Sequence, residues 1–182
     1  MGLLAELKSA TRDVHGRVET GLDLQRRVHD WASYTRFLVG LHSVYAPLER
    51  SVSACTATRV AIPDWDSREK TQWLAEDLRD LGVACAPETD IRVAGVEDVL
   101  GSVYVMEGAT LGGAVILHEM GGLGVSPPHR FFFGYGALRA AMWSAFRTQV
   151  AAIEATDLDR PLVVEAAERT FRAVEHACLG PQ

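Results

Sequence analysis

The sequence predicts an all-α protein, and three observations carry that expectation. Apolar residues recur at three- and four-residue spacing through most of the chain, no run alternates with a period of two, and the breaks fall at segments such as "GGLGVSPPHR". A length of 182 residues fits one domain spanning 1–182, and 48% apolar with 23% charged residues is enough to bury a real core.

Taken in order, Leu3, Leu4, Leu7, Ala10, Val14 and Val18 mark one face of a first helix that ends near Gly21. Asp30 is the expected N-cap of a second helix reaching about Cys55, with Pro47 expected to kink or divide it. Ser67 or Asp66 should cap a third helix, which Gly82 closes. A fourth runs from about Val96 to Met120, a fifth from about Phe132 to Thr156, and the last from near Pro161 to about Leu179.

A net charge of −6 disfavours nucleic acid as a partner, since phosphate binding needs a concentrated basic surface. The three cysteines, Cys55, Cys85 and Cys178, form no CxxC pair, which excludes a disulfide framework and a structural zinc site. The N-terminus lacks the pattern of a signal segment, and Glu107 interrupts the best apolar window, so no membrane span is expected. A reduced, cytoplasmic protein is the expectation.

Three stretches carry chemistry. In "LKSATRDVHGRVE", His15 stands at the rim of the apolar face, with Glu19 one turn on and Lys8 seven residues back. Glu19 could accept one ring proton of His15 and so fix its tautomer. Lys8 would lie roughly 10 Å away along one continuous helix. The trio is equally readable as a solvated polar edge.

In "YVMEGATLGGAVI", Gly108, Gly112 and Gly113 interrupt an apolar helix, each at a cost of about 0.8–1.0 kcal/mol relative to alanine. Gly108 and Gly112 share one face, which suits either a packing notch or a platform for a flat ligand, and the adjacent pair favours a bend. No phosphate-loop or dinucleotide pattern surrounds them, and Glu107, His118 and Glu119 lack the Glu-x-x-His spacing of a di-iron bundle. In "FFFGYGALRAAMW", three phenylalanines precede Tyr135, which is flanked by two glycines, and Arg139 follows one turn later.

Together these stretches resemble the bacterial heme oxygenases, most closely the branch associated with bacteriophytochromes. The resemblance spans most of the chain and implies a single-domain helical bundle holding heme b between a proximal and a glycine-containing distal helix. It implies His15 as the heme-iron ligand and Glu19 as acceptor of its other ring proton. It implies Lys8 near the propionates, Gly108, Gly112 and Gly113 over the heme, and Tyr135 in the pocket. Arg139 is a further propionate candidate from its spacing.

The implied reaction is heme cleavage to biliverdin IXα, carbon monoxide and iron, with electrons from ferredoxin or another reductant and a bacteriophytochrome receiving the bilin. Where animal-type members have aspartate after the first distal glycine, and phytochrome-linked ones commonly serine, this chain has Ala109, followed by Thr110. A water network there would fall to Thr110, Glu107 or backbone carbonyls. Ala109 also favours an alternative, a non-catalytic heme carrier or sensor on the same fold.

Overall fold

The computed structural model describes residues 2–22, 31–85, 89–122 and 128–180. Nine helices are described: α1 (Leu3–Ala10), α2 (Arg12–Leu22), α3 (Trp31–Ala54), α4 (Thr58–Ala61), α5 (Thr71–Asp80), α6 (Val96–Gly122), α7 (Arg130–Phe133), α8 (Arg139–Glu154) and α9 (Arg160–Leu179). Two 3-10 turns, Trp65–Ser67 and Gly136–Leu138, complete them, and no strand occurs among the described residues. The all-α expectation therefore holds.

Helix α9 is the hub: its most extensive partner is α6, and α3, α2 and α1 also pack on it. Glycines set how closely these helices approach. A Cβ at Gly101 would press on the Val163 carbonyl oxygen of α9, and one at Gly40 would lie 2.6 Å from that of Ala177. Because both obstacles are backbone, Gly101→Ala should destabilise the protein by about 1–3 kcal/mol. The urea midpoint would show it.

Several boundaries differ from the sequence reading. The first helix is divided at Thr11, whose hydroxyl donates to the Leu7 carbonyl and whose backbone leaves helical geometry (φ −88°, ψ 1°). Helix α3 runs through Pro47 undivided. The Ser43 carbonyl, which proline cannot serve, accepts a hydrogen bond from the Thr89 amide at 2.9 Å instead. The expected Asp30 cap lies outside the described residues. The expected fifth helix is interrupted, because Gly134 and Gly136 take positive φ (53° and 54°) between α7 and α8.

Neither Ser67 nor Asp66 caps α5; those residues belong to a 3-10 turn. The carboxylate of Glu49 on α3 accepts from the amides of Lys70 (2.6 Å) and Thr71 (3.0 Å). Asp77 likewise accepts from the first amides of α7, Arg130 and Phe131, and Glu154 accepts from Leu3 at the start of α1. Three helix N-termini are thus satisfied by carboxylates from other helices, which also favour the positive dipole end.

Val96–His118 contains a window of mean hydropathy 1.5, long and apolar enough to cross a membrane by length and composition alone, a test that a buried core helix also passes. Here 59% of that window is buried, with Val99, Leu100, Val103 and Met106 in the core.

Candidate functional site

The glycines of α6 divide into two kinds. A Cβ at Gly113 would lie 2.6 Å from the Phe132 carbonyl oxygen, so Gly113 is where α7 presses against α6. A Cβ at Gly108 or Gly112 would meet nothing within 4 Å. These two look into open space, in line with Leu111 and Val115, which remain 37% and 64% exposed. A bare, apolar, unfilled helix face costs apolar contact with water and helix propensity together, which makes it a candidate ligand surface.

Tyr104 stands one turn before Gly108 on the same face, and its phenol pairs with the side chain of Thr11 at the α1–α2 junction. Burial raises the Tyr104 phenol pKa, with Thr11 partly opposing it. One turn beyond Thr11 on α2 is His15, whose amide donates to the Thr11 carbonyl at 2.9 Å. Thr11 and Tyr104 thus each precede a candidate residue by one turn, His15 on α2 and Gly108 on α6.

The His15 side chain is 50% exposed, and its Nδ1 faces the Glu19 carboxylate at 3.5 Å. Phe171 of α9 meets the ring edge-on, with centroids 5.4 Å apart. That pairing leaves Nε2 as the nitrogen able to take a ligand. Gly16 beside it has nothing within 4 Å of a Cβ position. Lys8 is exposed near the end of α1, and because of the break at Thr11 it does not share a continuous helix with His15. No carboxylate among the described residues pairs with it.

The remaining sequence candidates point elsewhere. Thr110 is buried, its hydroxyl donates to the Met106 carbonyl at 3.3 Å, and its methyl would sit 2.9 Å from a Cβ at Gly134, so it faces α7 rather than the open side. Arg139 donates through Nη2 to the carbonyls of Phe132 (3.3 Å) and Phe133 (2.9 Å), closing the end of α7. Phe131 and Phe132 are core residues, whereas Phe133 is 55% exposed.

Tyr135 belongs to a buried cluster behind α6. Its hydroxyl donates to Glu107 Oε1 at 2.7 Å and accepts from Lys70 Nζ at 3.0 Å. Lys70 also reaches Glu107 Oε1 (2.7 Å), and Arg68 Nη1 reaches Oε2 (2.9 Å). Arg68 then forms a fork on Asp64, two bonds of 2.8 Å, and Gln149 donates to the same carboxylate. Burial raises the Tyr135 pKa, with the Glu107 charge adding to it. Burial lowers that of Lys70 against the pull of Glu107.

Burial alone would raise the Asp64 carboxyl, but the Arg68 and Gln149 hydrogen bonds outweigh it and hold it below its ordinary 3.8. Its stabilising contribution is therefore complete above pH 3.8 and is lost as pH falls through the lower folded value. The urea midpoints of the parent and Asp64→Asn should differ at pH 6 and converge as the pH falls progressively below 3.8.

Sequence reasoning missed Tyr104, Arg68, Lys70 and Asp64. The available signal was Glu107 itself: one carboxylate inside a buried apolar helix requires cationic partners. A separate cleft of about 640 Å³ lies between α5 and α7, lined by Trp73, Glu76, Asp80 and Arg130 among others; its lining includes neither His15 nor Gly108. No group of three or more potential metal-ligating side chains occurs among the described residues.

The two features define a class: helical proteins that carry both a bare helix face and an accessible imidazole. The heme oxygenase family model matches residues 1–177, and the chain belongs to that family of heme-degrading oxidoreductases. The fold is similar to that of the heme oxygenase from Neisseria meningitidis solved with NO and CO bound. The match has a TM-score of 0.80 at 19% identity and covers 98% of this chain and 92% of that one. No curated protein sequence matches the chain.

Proposed function

We propose that the chain binds heme b between His15 and the Gly108–Gly112 face and cleaves it to biliverdin IXα, carbon monoxide and iron. The observation that carries this reading is the open glycine face of α6, in a chain that also offers a half-exposed histidine on α2. The residues fit the group: the space lacks side chains where a flat ligand would lie, and the imidazole is oriented by Glu19 and Phe171. Bound heme supplies both the oxygen-binding iron and the carbon skeleton that is opened.

Glu19 accepts the Nδ1 proton and leaves Nε2 for the iron, raising the basicity of the ligand. Leu111 and Val115 exclude water from the ring faces. Gly108 and Gly112 would let the helix backbone lie close to a bound heme, where a Cβ would hold it off. Lys8 anchors a propionate through its exposed ammonium. Thr110, Gly113, Tyr135 and Arg139 support this face from behind α6. Electrons come from ferredoxin or another reductant, and the bilin passes to a bacteriophytochrome in the cytoplasm.

A heme carrier or sensor is favoured by one observation. Between Gly108 and Val115 the only polar side chain is Thr110, which is turned away, so only backbone groups can hold water there. Hemin with ascorbate or a ferredoxin system separates the readings. Biliverdin IXα in the extract, with one carbon monoxide per hemin consumed, supports the enzyme. Recovery of intact heme would overturn that reading in favour of the carrier.

A further inference from the structure

The lining face of α6 is not specified by apolar burial. Apolar residues surround the helix, from the buried Val103 and Met106 to the exposed Leu111 and Val115. Steric fit restrains the helix at two points, Gly101 and Gly113, where a Cβ would press on the Val163 and Phe132 carbonyl oxygens, but the open side at Gly108–Ala109 is small at adjacent positions and adds no restraint. A shift of one residue turns a helix by about 100° and would present Ala109 in place of Gly108. Beyond those two close approaches, such a shift cannot keep the bonding of Glu107. This is the only charged side chain of α6 between Asp98 and Glu119, it is 2% exposed, and its carboxylate accepts from Arg68, Lys70 and Tyr135.

These donors come from two separate segments, the stretch before α5 and the turn between α7 and α8. They fix the carboxylate from different sides. Any rotation of α6 strips all three bonds from a buried charge, the most costly defect available to a helix of this composition.

The geometry points to Glu107, clamped by Arg68, Lys70 and Tyr135, as the positioning residue that fixes which face of α6 lines the heme slot, and through it which meso carbon is opened. A directional buried polar group setting register is the best-attested use of such groups. The inference rests on the heme-cleaving reading for its regiochemical consequence but not for the rotation of the helix.

The test uses Tyr135→Phe and the charge-paired Lys70→Met/Glu107→Gln, which leaves the Arg68–Asp64 fork in place. In the ligand-free protein, amide hydrogen exchange across residues 103–113 should accelerate at least ten-fold in the double variant and about three-fold in Tyr135→Phe. Exchange in the centres of α3 and α9 should stay within about two-fold. With hemin and reductant, both variants should yield a mixture of biliverdin isomers where the parent yields one. Unchanged exchange over 103–113, acceleration spread evenly over all helices, or retention of the parent's single isomer would overturn the assignment. Should the double variant fail to fold, Tyr135→Phe decides by the same readouts. If the parent binds no hemin, the functional reading falls while the exchange comparison still decides the register.

Discussion

Replacing His15 with alanine should remove the axial ligand and with it the characteristic Soret band of the hemin complex. The side chain is half exposed, its polar contact among the described residues is the 3.5 Å approach to Glu19, and its ring contact is with Phe171. Losing an edge-on aromatic contact costs about 0.5–1.5 kcal/mol, too little to unfold a domain. The variant should therefore fold, bind hemin weakly by apolar contact, and regain a ligated spectrum when millimolar imidazole fills the vacated position. A spectrum identical to the parent would refute His15 as the ligand.

The second large effect separates glycines that look alike in sequence. Gly108→Leu places a side chain where nothing lies within 4 Å, so the ligand-free protein should keep or slightly raise its melting temperature. The gain in helix propensity is up to about 1 kcal/mol. Hemin affinity should nevertheless fall at least about 100-fold, equivalent to about 2.7 kcal/mol, because the leucine occupies the slot. Gly113→Ala should do the reverse to stability: its Cβ would be 2.6 Å from the Phe132 carbonyl oxygen, an overpacking expected to cost about 1–3 kcal/mol. Thermal unfolding and hemin titration of the two variants side by side read this out. Equal loss of stability in both would mean that the face at Gly108 is closed.

How far these features were legible from residue order depends on the range of the interactions behind them. Helix α9 was readable because its signals are local: Asp159 caps the Leu162 amide and Pro161 sits in the first turn. Helix α6 was readable from its apolar length. The start of α5 was not, because its cap is Glu49, more than twenty residues away on α3. The continuity of α3 through Pro47 was hidden for the same reason, since the carbonyl it abandons is served by Thr89.

The candidate site shows the same division. His15 and Glu19 are one turn apart, so their approach follows from helix geometry. Spacing also placed Gly108 and Gly112 on one face. It could not reveal that Gly113 is a packing glycine, because the obstacle is the backbone of α7. Nor could it show that Tyr135 and Arg139 direct their polar ends to Glu107 and to the α7 carbonyls. A reading by periodicity assigns faces, whereas the partner on each face is set by the tertiary fold.

The most direct test of a heme slot between His15 and the open face of α6 is a single turnover followed in the visible. Stoichiometric hemin is added to the protein, then ascorbate or a ferredoxin system in air. The expected result is a Soret band that forms on binding and then decays as a biliverdin band rises. A Soret band that forms and persists under reductant and oxygen would contradict the enzymatic claim, and hemin that never shifts its spectrum would contradict the slot itself.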